Sequence, residues 1–318
     1  MAEPHLPVGT AAPLVAPPVA PGQGTGPVLG IDLGGSTLRS LVMDPSGAVS
    51  RTSRVLLPDA PADRVSALVS LAAAHRDEVA AVGVAIAGTV RGGVVTWSAN
   101  LGVADVDVGS LLGAAAGVPV QVLNDARAAG LAEARLGAGR GARAVLVVTV
   151  GTGIGGAIVL DGRVLDGAGD AGEIGHMVLD PAGPPCPCGR SGCWEVLVGG
   201  RALARAAERV VGPGPDGDVM TRWAARVDGG DPAATTVLTR AAGLFATGVD
   251  NLCAVLSPDV LVLAGGVMAR GGAVADAYRA ALAGLRWTAG TRVVDAVTGD
   301  RAGQLGAALR AADLLAPG

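Results

Sequence analysis

The sequence is short of aromatic residues and of cysteine. Only 2% of its 318 residues are aromatic, although 50% are hydrophobic and 51 are glycine. Small apolar side chains and many glycines favour close packing of helices on sheets and glycine-rich turns. The chain has 4 cysteines, three of them in one loop, which excludes the disulfide framework of a small secreted domain. We therefore expect a cytoplasmic protein.

Clustered positive charge and long apolar runs are also missing. The net charge is −4 and the 24 basic residues are scattered, which argues against nucleic acid as a partner. No apolar run approaches the roughly 18 residues that span a bilayer, so we expect no membrane partner. Residues 1–27 lack the basic start and apolar core of a signal peptide, and their Pro, Ala and Gly content predicts a disordered leader.

What the sequence does contain is a repeated pattern of strands and glycine-rich turns. A strand, a glycine-rich turn and a second strand occupy 28–43, and the same pattern returns at 144–160. Strands that alternate with helices predict an α/β protein with helix-covered sheets, and the repeat predicts two related lobes with a cleft between them. We expect helices at 62–76, 199–227, 232–256 and 271–285, and a closing helix within 301–315.

Each half of the repeat carries a glycine-rich loop, GIDLGGST at 30–37 and VGTGIGG at 150–156. Such loops expose backbone N–H groups that can cradle phosphate oxygens, although a single one could be an ordinary β-turn. Two loops favour a phosphate clamp with two walls. Neither has the GK[ST] of a Walker A loop or a GxGxxG before a helix. Asp32, at the end of the first strand, could hold Mg²⁺ through water.

Two further segments follow buried strands. In VLNDARAAG, Asn124 and Asp125 lie where a strand gives way to a helix, a position typical both of helix N-caps and of ligand-binding residues in α/β sheets. There Asp125 could accept a hydroxyl proton during phosphoryl transfer. The segment AGGV at 264–267 fits tight helix packing and nucleotide contact equally well.

One loop, 172–195, concentrates the metal-binding residue types. Three thiols and an imidazole with the spacing H-x9-C-x-C-x4-C match a tetrahedral zinc site, and four protein ligands leave no open position, which predicts a structural metal. A disulfide is the alternative, but it would leave one thiol over and a C-x-C bridge is strained. Glu173 and Glu195 flank the cluster and could accept hydrogen bonds from a polyhydroxyl ligand. The predicted zinc ligands are His176, Cys186, Cys188 and Cys193.

Taken together, these segments resemble the ROK-family sugar kinases of the bacterial glucokinase type. The resemblance covers about 28–315, and its most specific part is the E-x-G-H motif followed by the cysteine run at 186–195. It implies a two-lobed actin-like ATPase (ribonuclease H-like) α/β fold and ATP-dependent phosphorylation of a hexose 6-hydroxyl. The other matching segments are GIDLGGST, SANLG, LNDARAAGLAEARLGAGRG, GTGIGGAIVLDGRVLDGAGDAGEIGHMVLD, LAGGV and GDRAGQLGAAL.

The resemblance also implies lobes, cofactors and an assembly. The N-terminal lobe would be 28–124, completed by the helix at 301–315, and the larger lobe would be 125–300 with the zinc loop at 172–195. The cofactors would be ATP, Mg²⁺ and a structural Zn²⁺, and the protein would be a homodimer or homotetramer.

By match to the family motif, Asp125 would be the catalytic base. The sugar would be bound by Asn100, Asn124, Asp125, Glu173, His176 and Glu195. The phosphates and Mg²⁺ would be held by Asp32, Gly34, Gly35, Ser36, Thr37, Gly151, Thr152 and Gly153. The nucleotide would lie near Gly265 and Gly266.

Two positions depart from the family pattern. The Gly34-Gly35-Ser36 turn is followed by Thr37 where the family has Lys, which removes a cation from the phosphate side; Arg39, on the same strand face, could substitute. The aromatic residue that usually follows NL is also missing from NLGVADVDV. A slow kinase, or one with another phosphate donor such as polyphosphate, would fit these changes.

The sequence leaves the sugar open. Glucose is expected, but N-acetylmannosamine, N-acetylglucosamine, fructose and allose kinases share the motif. A sugar-sensing repressor of this family would carry a DNA-binding domain, for which residues 1–27 are too short. A third alternative is a protein that binds sugar without turnover; the intact Asp125 argues against it.

Overall fold

The computed structural model describes residues 26–98, 101–214 and 219–316. Over these residues the backbone forms two five-stranded sheets and a smaller three-stranded sheet, with helices packed against them. This arrangement confirms the expected α/β class.

The first sheet has the strand order β3-β2-β1-β4-β8. Strands β1, β2 and β3 are antiparallel neighbours, whereas β4 and β8 run parallel to β1. Its members are β1 (Val28–Leu33), β2 (Thr37–Met43), β3 (Val49–Leu56), β4 (Ala81–Ile86) and β8 (Val120–Asn124).

The second sheet repeats this topology with the order β11-β10-β9-β12-β13. Again the first three strands are antiparallel neighbours and the last two run parallel to the central strand. The sequence repeat therefore extends to the whole sheet, as expected for an actin-like fold. The strands are β9 (Ala144–Val150), β10 (Ile154–Leu160), β11 (Arg163–Val164), β12 (Val260–Ala264) and β13 (Arg292–Asp295).

A third, antiparallel sheet follows β4 and was not predicted. It consists of β5 (Thr89–Arg91), β6 (Val94–Trp97) and β7 (Val106–Asp107). The first two strands are joined by Gly92 and Gly93, which both have positive φ, as a two-residue hairpin turn requires. Strands this short show too little alternation of polar and apolar residues to be detected in the sequence.

The helices agree with prediction except where glycines interrupt them. The predicted helical region 199–227 holds two helices, because the first of them ends before Gly212, which has a φ of 75°. The bounds are α1 (Pro61–Ala74), α2 (Val108–Ala116), α3 (Asp125–Arg135), α4 (Trp194–Val198), α5 (Gly200–Val211), α6 (Val219–Asp228), α7 (Pro232–Leu256), α8 (Gly266–Arg270), α9 (Ala273–Ala281) and α10 (Ala302–Asp313).

Among the described helices, none has both the length and the apolar character needed to cross a bilayer. Single 3₁₀ turns occur at Ile174–His176 and Gly299–Arg301.

Helices α3 and α10 pack together with their backbones in contact. A Cβ atom added at Gly306 would overlap the carbonyl group of Ala128, and one added at Gly83 in β4 would overlap that of Ala307. Helix α3 also reaches the second sheet, where Gly130 leaves room for the Ala157 methyl group. The abundance of glycine and alanine in the sequence is thus used to bring two helices and two sheets together.

Three of the six aromatic side chains stack on one another at α4. Phe245 stacks between Trp194 and Tyr278, with ring centroids 5.6 and 4.3 Å apart respectively. The Tyr278 hydroxyl donates to the carbonyl of Val198 at 2.7 Å. These contacts fix α4 at both ends, since Trp194 begins the helix and Val198 ends it.

The contact between α3 and α10 can be tested with Gly306→Ala. We expect a loss of at least about 2 kcal/mol in the free energy of unfolding, because the added methyl group meets a backbone carbonyl that cannot yield alone. Gly243→Ala is the matched control, since nothing lies within 4 Å of the added atom on α7. The control should be neutral or slightly stabilising. Urea denaturation of both variants measures the difference, and equal stability of Gly306→Ala and wild type would contradict this packing.

Candidate functional site

Two carboxylates meet at the carboxyl edge of the first sheet. Asp32 is the penultimate residue of β1, and Asp125 begins α3 directly after β8. Because β1, β4 and β8 are parallel and in register, these residues share one edge of the sheet, where ligands of α/β proteins bind. The negative charge of Asp125 is close enough to raise the pKa of Asp32.

Both carboxylates have raised pKa values. Burial, and then the charge of Asp125, raise the pKa of Asp32 to about 6, while Arg39 opposes the shift. Burial also raises the pKa of Asp125, although its carboxylate accepts a hydrogen bond from the Ala126 N–H at 2.8 Å. A buried pair of acids of this kind can hold a cation or take up a proton.

Asn124 is the N-cap of α3. Its side-chain oxygen accepts from the N–H groups of Ala126 and Arg127 at 2.9 and 3.2 Å, and its amide donates to the Gly88 carbonyl at 3.1 Å. The capping interpretation is therefore confirmed for Asn124. The cap fixes the first turn of α3, which is the turn that carries Asp125.

The first glycine-rich loop closes between β1 and β2. The Gly34 N–H donates to the carbonyl of Thr37 at 2.9 Å, whereas Gly35 and Ser36 at the tip are exposed. Thr37 itself is buried, with 5% of its surface exposed. The exposed tip leaves backbone groups accessible to a phosphate.

The second loop joins β9 and β10 and is held by the start of α5. The carbonyls of Gly151 and Thr152 accept hydrogen bonds from Gly200 and Arg201, each at 2.9 Å. A Cβ atom added at Gly153 would overlap the carboxylate of Glu195. This loop therefore lies against a residue of the cysteine-rich segment.

Gly265 is the N-cap of α8 and lies against the backbone of β9. Its φ is 89°, and a Cβ atom there would lie 2.6 Å from the carbonyl oxygen of Val150. The close-packing interpretation is thus confirmed for Gly265, while nucleotide contact stays a prediction. Gly265 and Gly266 line a cavity of about 270 Å³ together with Thr149 and Asp300.

Arg39 lies opposite Asp32 in the antiparallel register of β1 and β2. Its Nη1 donates to the carbonyl of Asp300 at 3.0 Å, next to the same cavity. The chain contains no lysine, so arginine is the only side chain that could supply a permanent cation in place of the one missing at Thr37. That role of Arg39 stays a prediction.

The three thiols and the imidazole of the predicted zinc site come together. The potential ligand atoms of the four residues lie within 4.8 Å of one another. The Sγ atoms of Cys188 and Cys193 are 3.5 Å apart, as are Cys186 Sγ and His176 Nδ1. Zn–S bonds of about 2.3 Å in a tetrahedral site place sulfurs about 3.8 Å apart, so the residues fit zinc. All four cysteines are free thiols.

The two glutamates that flank this cluster in the sequence also lie beside it in the structure. Glu173 directly precedes the 3₁₀ turn that ends at His176. Glu195 lies in the first turn of α4, with its Oε1 3.7 Å from His176 Nδ1 and 3.4 Å from Cys186 Sγ. Burial raises the pKa of Glu173, and the nearby charges of Arg127 and His176 oppose this.

Arg127 is a site residue that the sequence analysis did not single out. It lies on α3 with only 3% of its surface exposed. Its guanidinium is 3.6 Å from Asp166 and 4.0 Å from Glu173, and it donates to the carbonyl of Gly169. The sequence signal that could have identified Arg127 was a charged residue among the small side chains of the segment NDARAAG. Arg127 links the helix of Asp125 to the segment of Glu173.

Two further arginines hold the same segment. Arg310 of α10 pairs with Asp166 at 2.7 Å, and Arg91 of β5 pairs with Asp170. The segment that ends at Glu173 is therefore fastened to α3, to α10 and to the small sheet. Asn100, by contrast, lies outside the described residues.

Comparisons with known proteins agree with one another. A family model described as the ROK family matches residues 28–313. The solved ROK hexokinase from Thermus thermophilus is 37% identical, with a TM-score of 0.78, covering 90% of this chain and 97% of that chain. A ROK family glucokinase from Streptomyces griseus, solved in complex with glucose and AMPPNP, is 32% identical with a TM-score of 0.74, covering 91% of this chain and 100% of that chain.

A curated relative has another sugar in its name. The N-acetylmannosamine kinase of Escherichia coli O157:H7 is 34% identical over 248 residues, which cover 75% of this chain and 82% of that protein.

The charge of Asp32 should lower the stability of the ligand-free protein. Its folded pKa of about 6 lies above its ordinary value of 3.8, so folding favours the protonated form. The protonated Asp32 carboxyl therefore adds no cost to folding below about pH 4, and the folded protein loses stability as the pH rises through 6 and the group ionises. Asp32→Asn should therefore be more stable than wild type at pH 7.5, by up to about 3 kcal/mol, and equal to it at pH 4.

Urea denaturation at the two pH values, without divalent cations, tests this expectation. Asp59→Asn, at an exposed position, should change stability at neither pH. If Asp32→Asn is no more stable than wild type at pH 7.5, burial of the ionised Asp32 carboxylate does not lower the free energy of unfolding, and the expectation is wrong.

Proposed function

This chain belongs to the ROK family and is a sugar kinase, and from that premise we propose that it transfers the terminal phosphoryl group of ATP to the 6-hydroxyl of glucose. The observation that carries the proposal is a line of neighbouring polar residues. The charges of Asp125 and His176 both act on the pKa of Glu173, His176 Nδ1 is 3.7 Å from Glu195 Oε1, and Glu195 lies against Gly153. The line connects an acid–base group to a glycine-rich loop.

The middle of this line suits a sugar. Glu173 and Glu195 are partly buried carboxylates, with 33% and 23% of their side-chain surfaces exposed. Ionised carboxylates only accept hydrogen bonds, and sugar hydroxyls are the donors that they need. His176, Asn124 and Asn100 complete the proposed sugar site by the family resemblance.

Asp125 is the proposed general base. As the O6–phosphorus bond forms and the bond to the leaving diphosphate breaks, the hydroxyl proton moves to the Asp125 carboxylate. Burial raises the pKa of Asp125, which makes the carboxylate a better proton acceptor than an exposed aspartate. General-base catalysis contributes typically about 10²–10⁴-fold.

The other end of the line suits the phosphates of ATP. The exposed backbone at Gly35, Ser36 and Thr152 can approach phosphate oxygens from two walls, and Arg39 adds positive charge near Asp32. Mg²⁺ at Asp32 would neutralise charge on the β- and γ-phosphoryl oxygens. The cavity beside Gly265 offers about 270 Å³ for part of the nucleotide. The AMPPNP-bound glucokinase supports ATP as the donor.

We infer that the cysteine cluster binds a structural zinc ion. Four protein ligands leave no position for water, so the metal would take no part in the reaction. It would order the loop at 172–195, because this loop has too few buried apolar side chains of its own to be ordered without a metal. His176 joins the cluster to the sugar site, because its ring nitrogen is close to Cys186 and to Glu195.

The similarity to an N-acetylmannosamine kinase supports a second candidate sugar. A coupled assay of ADP release over glucose, N-acetylmannosamine, N-acetylglucosamine, fructose and allose distinguishes the candidates. We expect the highest kcat/KM with glucose. Polyphosphate should be tried as donor in parallel, because Thr37 replaces the lysine of the family pattern. Binding of a sugar without turnover of any would contradict the kinase activity and identify a sugar-binding protein.

The role of Asp125 is tested by Asp125→Asn. The amide cannot take up the hydroxyl proton, so kcat should fall by at least about 10²-fold, while glucose still binds with a dissociation constant close to that of wild type. Steady-state kinetics and calorimetric titration of glucose separate the two effects. Retention of the wild-type kcat would refute the assignment.

The role of the metal is tested by Cys186→Ser. We expect loss of bound zinc, a higher KM for glucose and a lower Tm, because the ion orders the segment between the two glutamates. Cys253→Ser is the matched control, since Cys253 is buried in α7 outside the cluster. It should lower Tm but keep the zinc. Zinc content by atomic emission, KM and Tm are measured on both; zinc loss in Cys186→Ser with an unchanged KM would break the proposed coupling.

A further inference from the structure

A groove of about 440 Å³ lies behind the cysteine-rich loop, between α4, α5 and α7. It shares no residue with the site described above. Three of its lining residues are arginines: Arg205 and Arg209 on α5, and Arg240 on α7. None of the lining residues is acidic. The volume is within the range of about 300–1,000 Å³ that is typical of small-molecule sites.

The three arginines are exposed, and none of them has a carboxylate partner among the described residues. Where the structure describes the chain, most site arginines pair with a carboxylate, as Arg127 and Arg310 do with Asp166. No ion pair or hydrogen bond is formed by the side chains of Arg205, Arg209 and Arg240 in that part of the chain.

Two of these exposed charges repel each other weakly when no ligand is bound. Arg205 and Arg209 are one helical turn apart on the same face of α5, a spacing at which like charges repel. Arg240 adds a third guanidinium from the facing helix, in a chain whose net charge is −4. A bound anion would convert this repulsion into attraction, since guanidinium groups pair with phosphate and carboxylate through two hydrogen bonds.

The rest of the groove is apolar. Its floor includes Leu197, Leu203 and Leu244, which would contact a carbon skeleton rather than a bare inorganic ion. The fitting ligand is therefore a small organic molecule with one or more phosphate groups. We propose that this groove is a second binding site, for a phosphorylated metabolite.

The groove is connected to the cysteine-rich loop by direct neighbours. Pro185 lines the groove and precedes Cys186, and Val196 lines it and follows Glu195. Leu197 also packs towards Gly183 of the same loop. A ligand in the groove therefore touches both segments that place Glu195, so its binding should change the affinity for the sugar. By linkage, the sugar must change the affinity for this ligand by the same factor.

Binding is measured by calorimetry with fructose 1,6-bisphosphate and phosphoenolpyruvate, in the absence of sugar and ATP. We expect both to bind wild type, and to bind the triple variant Arg205→Gln, Arg209→Gln, Arg240→Gln at least tenfold more weakly. The matched control is Arg54→Gln, Arg163→Gln, Arg292→Gln, which removes the same charge from exposed positions elsewhere. The control should bind as wild type does.

Several outcomes would overturn the proposal. These are no binding of either probe to wild type, equal weakening in both triple variants, and loss of self-association in the groove variant without any change in probe binding. The last would identify the groove as an interface between copies of this chain.

The coupling is measured separately, as the KM for glucose with and without fructose 1,6-bisphosphate. We expect a shift of at least twofold in wild type and in the control, and none in the groove variant. This arm rests on the proposed function, whereas the calorimetric arm does not, so the failure of one is distinguishable from the failure of the other. Identical KM values in wild type would refute the coupling.

Discussion

The backbone contact between α3 and α10 is the constraint on which the arrangement of the site depends. Helix α3 begins with Asn124 and Asp125, and helix α10 begins beside Asp32, where a Cβ atom at Gly303 would lie 2.7 Å from the carboxylate carbon. Because the two helices cross at Ala128 and Gly306 without intervening side chains, the start of α3, which carries Asp125, and the start of α10, which lies beside Asp32, have a fixed separation. The same helices touch both large sheets, so the two halves of the chain are positioned through this contact as well.

The site is built from groups that are costly to bury. Burial raises the pKa values of Asp32, Asp125 and Glu173, which means that the ligand-free protein holds acids in surroundings that disfavour their charge. Arg127 offsets part of this cost at Glu173, although its own Nε has no hydrogen-bond partner among the described residues. Such local conflict is common where binding sites are formed, since substrate and metal supply the missing partners.

Much of this could be predicted from the sequence, because the decisive signals are local. The glycine-rich turns, the strand-to-helix transition at Asn124 and the cysteine spacing each lie within a few residues, and the duplicated sheet and the clustered thiols followed from them. The small sheet β5–β7 was not predicted, because its strands are too short to show an alternation of polar and apolar residues. The partners of Arg127 escaped because they lie about forty residues away or more, as Asp166 and Glu173 show. Arg39 and its hydrogen-bond partner Asp300 are 261 residues apart in the sequence, so this contact could not be predicted either.

The duplicated sheet has a consequence for the direction in which a ligand binds. In the shared topology, Asp32 and its register partner Arg39 correspond to Thr149 and its register partner Gly155. One repeat therefore carries a charged pair where the other carries a neutral one. Two identical walls would form a pseudosymmetric clamp that accepts a phosphate chain in either orientation. Divergence at these two positions breaks the symmetry, so a phosphate chain bound as proposed would have one preferred orientation.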